Sequence, residues 1–176
     1  MRPLFIIGYM ASGKTTFGRA LAKSTNREFI DLDFYIEQRF RLSIADIFTQ
    51  RGESGFRDIE QRMLREVGEF EDVVIACGGG TPCFFDNIDY MLRRGNVVLL
   101  DTSVDRITER LIINSNRRPL MRGKTSDEIR KAVEEGLAAR DSIYSKAHIR
   151  FCGEELENRR QIDRSVSLFL TQNPDI

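Results

Sequence analysis

The chain is predicted to fold as an α/β protein, a parallel sheet with helices on both faces. Three observations carry this expectation. Short apolar runs rich in β-branched residues recur, as at 4–7, 73–77 and 97–100, and such continuous runs suit strands buried on both faces. Stretches with apolar residues at helical spacing separate them. The first run passes through a glycine-rich turn into a helical pattern, the kind of junction where open α/β sheets bind ligands. Strands alternating with helices from end to end define the layered class.

The elements follow in order. Leu4-Phe5-Ile6-Ile7 is the first strand. Gly8-Tyr9-Met10-Ala11-Ser12-Gly13-Lys14-Thr15 then matches G-x-x-x-x-G-K-[ST], a loop that cradles phosphates. A helix over 16–23 carries Phe17, Ala20 and Leu21 on one face. Residues 28–30 form a short strand leading into Asp31-Leu32-Asp33, and 34–41 is an amphipathic helix through Ile36 and Phe40. Ser43, three residues before Asp46, caps a helix that stops near Gly52. A further helix runs from about 53 to 70.

The strand at 73–77 ends at Gly78-Gly79-Gly80. A helix over 87–94 is ended by Gly95, and 97–100 is the next buried strand. Residues 104–113 are helical, whereas 114–124 are polar, basic and without periodicity. Thr125 and Glu128 resemble a capping box for a helix reaching about 144, with Arg140 near its end. A weak strand at 149–151 and a helix over 159–170 complete the chain. The strand candidates number five, and neither a repeat nor a linker divides residues 1–176, so a single domain is expected.

Composition narrows the classes. With 27 Lys+Arg against 27 Asp+Glu, the formal net charge is zero, unlike the basic excess of general nucleic-acid binders. The 41% hydrophobic and 31% charged fractions are those of an ordinary globular protein. Cys77, Cys83 and Cys152 lack metal-ligand spacing and are expected to be small buried residues in a reducing compartment. The lone histidine, His148, is expected to be packed or at the surface. No apolar run approaches the ~20 residues of a membrane span, and the N-terminal stretch lacks the small-residue cleavage site of a signal peptide. A cytoplasmic protein without membrane or nucleic-acid partners is expected.

Several residues carry the chemistry. In the phosphate loop, backbone N–H groups and the following helix N-terminus favour anions; Lys14 would reach the β- and γ-phosphates and the Thr15 hydroxyl a Mg²⁺ ion. Asp31 and Asp33, two apart on a strand end, would face the same side. One carboxylate could hold Mg²⁺ through water, the other orient or deprotonate an acceptor hydroxyl. The plain alternative is that Asp33 caps a helix. Arg57 lies near a helix start, against the macrodipole's preference, and could grip a carboxylate bidentately; a surface arginine paired with Glu53 or Glu60 is the alternative. Gly78, Gly79 and Gly80 read as a ligand wall rather than a bare turn. Arg118 lies in a basic loop able to close over a triphosphate, while Arg140 alone reads as a cation favoured at a helix C-terminus.

Taken in order, these segments resemble the shikimate kinases over nearly the whole chain. The matching pieces are G-Y-M-A-S-G-K-T-T from Gly8, F-I-D-L-D from Phe29, S-I-A-D-I-F from Ser43, and G-E-S-G-F-R-D-I-E from Gly52. The triple glycine from Gly78, R-P-L from Arg118 and R-D-S-I-Y from Arg140 continue the match. The resemblance implies a three-layer P-loop kinase fold like that of nucleoside monophosphate kinases. It implies a five-stranded parallel sheet, a phosphate loop at 8–16, a substrate-binding region at about 33–61 and a mobile lid at about 113–125. It implies transfer of the ATP γ-phosphoryl group to the 3-hydroxyl of shikimate, with Mg²⁺; a monomer is expected.

Carried across, Ala11, Ser12, Gly13, Lys14, Thr15 and Thr16 would bind the nucleotide, with Arg110 along the adenine and Arg118 on the phosphates. Thr15 and Asp31 would organise Mg²⁺. Arg57, Arg140 and the Gly79–Gly80 backbone, beside Gly78, would hold shikimate, with Asp33 on its ring hydroxyls and Phe48 and Phe56 as apolar walls. Lys14, Asp33 and Arg118 would be catalytic. A gluconate kinase would share the loop without calling for the triple glycine and paired arginines, and a non-catalytic nucleotide-binding module is the reading outside enzymes. Against a GTPase switch, the chain has neither N-K-x-D nor D-x-x-G.

Overall fold

A computed structural model of the chain describes residues 1–113 and 123–176. Five strands, β1 (Leu4–Ile7), β2 (Glu28–Asp31), β3 (Val73–Ala76), β4 (Asn96–Asp101) and β5 (Ile149–Cys152), form one sheet in the order β2-β3-β1-β4-β5. All its pairings are parallel. The central strand β1 is buried at every position, and its alternating side chains feed two cores. Phe5 and Ile7 join Ile59, Leu64 and Met91 on one face. Leu4 and Ile6 join Phe17, Leu21 and Phe169 on the other.

That second face is covered by α1 (Lys14–Ser24) and α8 (Arg159–Gln172). Phe17, Phe151 and Phe169 pack there with ring centroids 5.1–5.5 Å apart, in stacked and edge-on pairs worth about 0.5–1.5 kcal/mol each beyond burial. The opposite face carries α2 (Leu32–Phe40), α3 (Ile44–Gly68), α4 (Asn87–Arg94), α5 (Val104–Ile113), α6 (Ser126–Ala138) and the short α7 (Asp141–Tyr144). The three-layer arrangement, the five strands and the helices on both faces are those expected.

Local chemistry explains the boundaries. The Ser43 hydroxyl accepts from the Asp46 N–H at 3.1 Å, and Thr125 with Glu128 forms a full capping box. Within α3, Gly52 adopts φ 68° and breaks the helical path, a conformation L side chains rarely take. The expected stop at Gly52 is therefore a kink between two helical segments. Gly95 ends α4 for a reason other than a left-handed cap: its backbone is extended, and a Cβ there would collide with the Pro3 carbonyl oxygen.

Three expectations need correction. Arg140 does not end a long helix, because α6 stops at Ala138 and Arg140 sits at the N-cap of α7. The Arg140 N–H bonds Leu137 O at 3.0 Å, tightening the turn, and the resulting bend lets the Tyr144 hydroxyl reach Gly79 O at 2.7 Å. Asp33 does not extend β2; Asp31 ends the strand and caps α2 by accepting from the Phe34 N–H, which puts Asp33 in the first helical turn. Of the cysteines only Cys77 is buried; Cys83 is half-buried and Cys152 exposed. His148 is structural, its Nδ1 accepting from the Val97 N–H at 3.1 Å. Arg117, Arg118 and most of the expected lid lie outside the described residues. Among the described residues, no helix is long and apolar enough to cross a membrane.

Candidate active site

The C-terminal ends of β1 and β3 lie side by side, since the Cys77 N–H bonds Ile6 O at 3.0 Å. The phosphate loop and the triple glycine therefore emerge together, and a cleft of about 500 Å³ opens between them. Ala11, Gly13, Lys14, Thr15, Thr16, Asp31, Asp33, Gly78, Gly79 and Arg110 all border it. Gly13 takes φ 101° as the N-cap of α1, so the loop turns sharply into the helix and its terminal N–H groups face the cleft.

Lys14 folds over its own loop, with Nζ donating to Gly8 O at 2.9 Å and Tyr9 O at 2.8 Å. Thr15 Oγ1 donates to Asp31 Oδ2 at 2.8 Å. A hydroxyl and a carboxylate are thus paired at the cleft wall, the hard-oxygen chemistry that Mg²⁺ takes while retaining waters. Ser12 is fully buried, and its carbonyl accepts from Thr102 Oγ1 and Arg110. Arg110 is clamped between the loop and the segment after β5. It donates to Ala11 O and Ser12 O on one side, and to Gly153 O, Glu154 O and Glu157 on the other.

Asp33 borders the cleft although a helix, not a strand, places it. Its carboxyl is raised to about 6, chiefly by burial and then by the negative charges of Asp31 and Glu60, with Lys14 pulling the other way. That combination marks a carboxylate poised near neutrality, as general bases are.

A second group of residues adjoins the cleft without lining it. Phe48 and Phe56 stack with centroids 4.4 Å apart. Arg57 is 14% exposed, with Nη1 on Glu60 at 2.8 Å and Nη2 on Glu53 at 3.4 Å. Both pairings foreseen for a surface arginine exist, yet this guanidinium is largely buried, with its carbon 3.9 Å from the centre of the Phe84 ring. Gly80 lies directly beneath it, for a Cβ there would come within 3.0 Å of both terminal nitrogens. Gly79 likewise abuts the loop, its ideal Cβ 3.2 Å from Met10 N. Arg140 lies over the Tyr9 ring. Burial pushes the Cys83 thiol up, while the charges of Arg140 and Arg57 draw it down. Arg57 thus lies on Gly80 of the triple glycine, and Arg140 lies on Tyr9 of the phosphate loop.

Some site residues were not foreseen. Glu60, 1% exposed, binds Arg57 and accepts from Thr81 Oγ1 at 2.6 Å; sequence offered it only as an alternative partner for Arg57. Arg106, Glu109, Leu156 and Glu157 also border the cleft. The signal available for the last two was their position just after β5, on the same sheet edge as the loop.

Comparison with known proteins finds similarity over nearly the whole chain. The profile of a family described as shikimate kinase matches residues 10–171. A Bacteroides fragilis protein named shikimate kinase is 47% identical over 163 residues, covering 93% of this chain and 91% of its own. The crystal structure of shikimate kinase from Bacteroides thetaiotaomicron superposes with a TM-score of 0.94 at 45% identity, covering 97% of each chain. A structure of the Acinetobacter baumannii enzyme in complex with shikimate gives 0.84 at 31% identity, covering 99% of this chain and 94% of that one.

Proposed function

The chain belongs to the shikimate kinase family, and from that premise we propose that it transfers the γ-phosphoryl group of ATP to the 3-hydroxyl of shikimate, yielding shikimate 3-phosphate and ADP. The observation that supports this most is the convergence of Asp33, Gly79 and the phosphate loop on one cleft, with Arg57 against Gly80 and Arg140 against Tyr9.

The acceptor is a small carboxylate bearing three hydroxyls. We assign its carboxylate to Arg57 and Arg140, its ring hydroxyls to Asp33 and the Gly79–Gly80 backbone, and its apolar face to Phe48 and Phe56. Guanidinium forks match a carboxylate better than lysine would. Ala11, Gly13, Lys14, Thr15 and Thr16 cradle the phosphates, the buried Ser12 supporting the loop from behind, and Arg110 walls the adenine side. Arg118 is assigned to the phosphates on the family resemblance.

Thr15 and Asp31 suit Mg²⁺, which when bound would neutralise charge on the β- and γ-oxygens. Transfer proceeds through a loose transition state, so the residues chiefly position groups and balance charge. Lys14 turns from the Gly8 and Tyr9 carbonyls to the transferring phosphoryl group. Asp33 orients the 3-hydroxyl and is placed to take its proton as the new O–P bond forms and the bond to ADP breaks. We further take residues 1–176 to act as one domain, a monomer in the cytoplasm. The test is ADP release coupled to an indicator reaction, with ATP, Mg²⁺ and a panel of acceptors including gluconate. Shikimate-dependent turnover is expected, and folded protein without it would overturn the proposal.

A pH dependence follows from Asp33. Its folded value of about 6 lies above the ordinary 3.8, so the folded state holds this proton more tightly than the unfolded chain does. The stability it contributes is present at acid pH and declines as pH rises from about 4 to about 6. Acceptor binding has the opposite sense, because the ionised carboxylate accepts from ring hydroxyls about twice as strongly as the neutral acid. Calorimetric titration of the nucleotide-free protein with shikimate should show affinity rising with pH through about 6. That limb should vanish in Asp33→Asn; its persistence there would assign it to another group.

A further inference from the structure

One side chain of the phosphate loop turns away from the cleft. Met10 and Ala11 border the cleft, whereas Tyr9 does not; its side chain packs in the core at 6% exposure. The Tyr9 hydroxyl donates to Ala132 O in α6 at 3.2 Å. The Arg140 guanidinium carbon lies 5.3 Å from the ring centroid, and Arg140 Nη1 donates to Gly136 O at 2.6 Å. Gly136 makes room for the ring, since a Cβ there would overlap the Tyr9 hydroxyl and ring edge. Tyr9 is thus wedged between the nucleotide loop and the helix that leads to Arg140.

We infer that Tyr9 is a positioning residue for the acceptor: although it belongs to the nucleotide loop, its ring holds Arg140 in the orientation that meets the shikimate carboxylate. An arginine side chain has much rotamer freedom to lose on binding. The Tyr9 face and the Gly136 carbonyl hold the guanidinium in place before ligand arrives, and such preorganisation is expressed as affinity. A purely packing role would lower stability and disturb both substrates alike. The inference rests on the assignment of Arg140 to the acceptor.

The experiment compares steady-state constants for Tyr9→Leu, Tyr9→Phe, Gly136→Ala and Arg140→Ala, with circular dichroism and thermal melts to establish folding. Tyr9→Leu should raise KM for shikimate about tenfold, within the range of a partly desolvated cation–π contact, and change KM for ATP less than about twofold. Tyr9→Phe keeps the ring face and should stay within about threefold of the parent for both substrates. Gly136→Ala, which favours helix by propensity, should push the ring aside and reproduce the shikimate-selective effect without altering the loop sequence. Equal effects on both substrates, or no effect of either Tyr9→Leu or Gly136→Ala on folded protein, would overturn the inference. If Tyr9→Leu does not fold, Gly136→Ala decides alone. If Arg140→Ala leaves KM for shikimate unchanged, the acceptor assignment itself fails; if it raises KM while Tyr9→Leu does not, only the role of Tyr9 fails.

Discussion

Lys14→Ala should lower kcat by about 10²–10³-fold, the loss typical of removing one charge-stabilising donor from a transition state. The deficit should persist at saturating acceptor, because the lysine serves the transferring group rather than shikimate. Its Nζ lies within the loop's own curve, bonded to Gly8 O and Tyr9 O, so it meets the phosphate oxygens by exchanging carbonyl partners inside the loop. Fold and melting temperature should change little. Measurement of kcat at saturating ATP and shikimate checks this, and a value within tenfold of the parent would remove Lys14 from the catalytic set.

Arg57→Ala should act on acceptor use and on stability together. Losing a charge-assisted pair worth about 1.5–3 kcal/mol raises KM for shikimate by roughly ten- to hundredfold. The substitution also strands Glu60, which is 1% exposed and bound to Arg57 at 2.8 Å. Breaking such a buried pair from one side costs about 3–5 kcal/mol. Adding Glu60→Gln removes the stranded charge and can retain the Thr81 contact. The double variant should therefore regain much of the stability lost while acceptor KM stays high. Denaturation midpoints and KM, measured on the same samples, separate the two effects. Unchanged KM in folded Arg57→Ala would relocate the acceptor.

How much of this was legible differs by type of signal. The phosphate loop, the five strands and the caps at Ser43 and Thr125 were readable because each is specified by residues within a few positions of one another. Asp33 was assigned to the right cleft by the wrong element: spacing of two implied a shared strand face, but the side chain of Asp31 captured the Phe34 N–H and began the helix early. Arg140 was misplaced because Gly136 sits inside the last turn of α6 and neither glycine nor proline follows Ala138 before Gly153; a contact 65 residues away, from Tyr144 to Gly79, accompanies the bend. The Glu60–Thr81 bond and the Phe84 ring under Arg57 are likewise tertiary. No local pattern encodes them.

The Arg110 clamp has a thermodynamic consequence for the nucleotide. Its guanidinium ties Ala11 O and Ser12 O to Gly153 O and Glu154 O, so the rear of the loop is fastened to the segment beyond β5 before any ligand arrives. Fixing a backbone residue costs about 1–2 kcal/mol, and for the rear of this loop that cost falls on folding rather than on association. The rear of the loop should accordingly behave as a rigid receptor: the amide of the buried Ser12, bonded to Tyr9 O at 3.2 Å, should already be protected from hydrogen exchange in the unliganded protein.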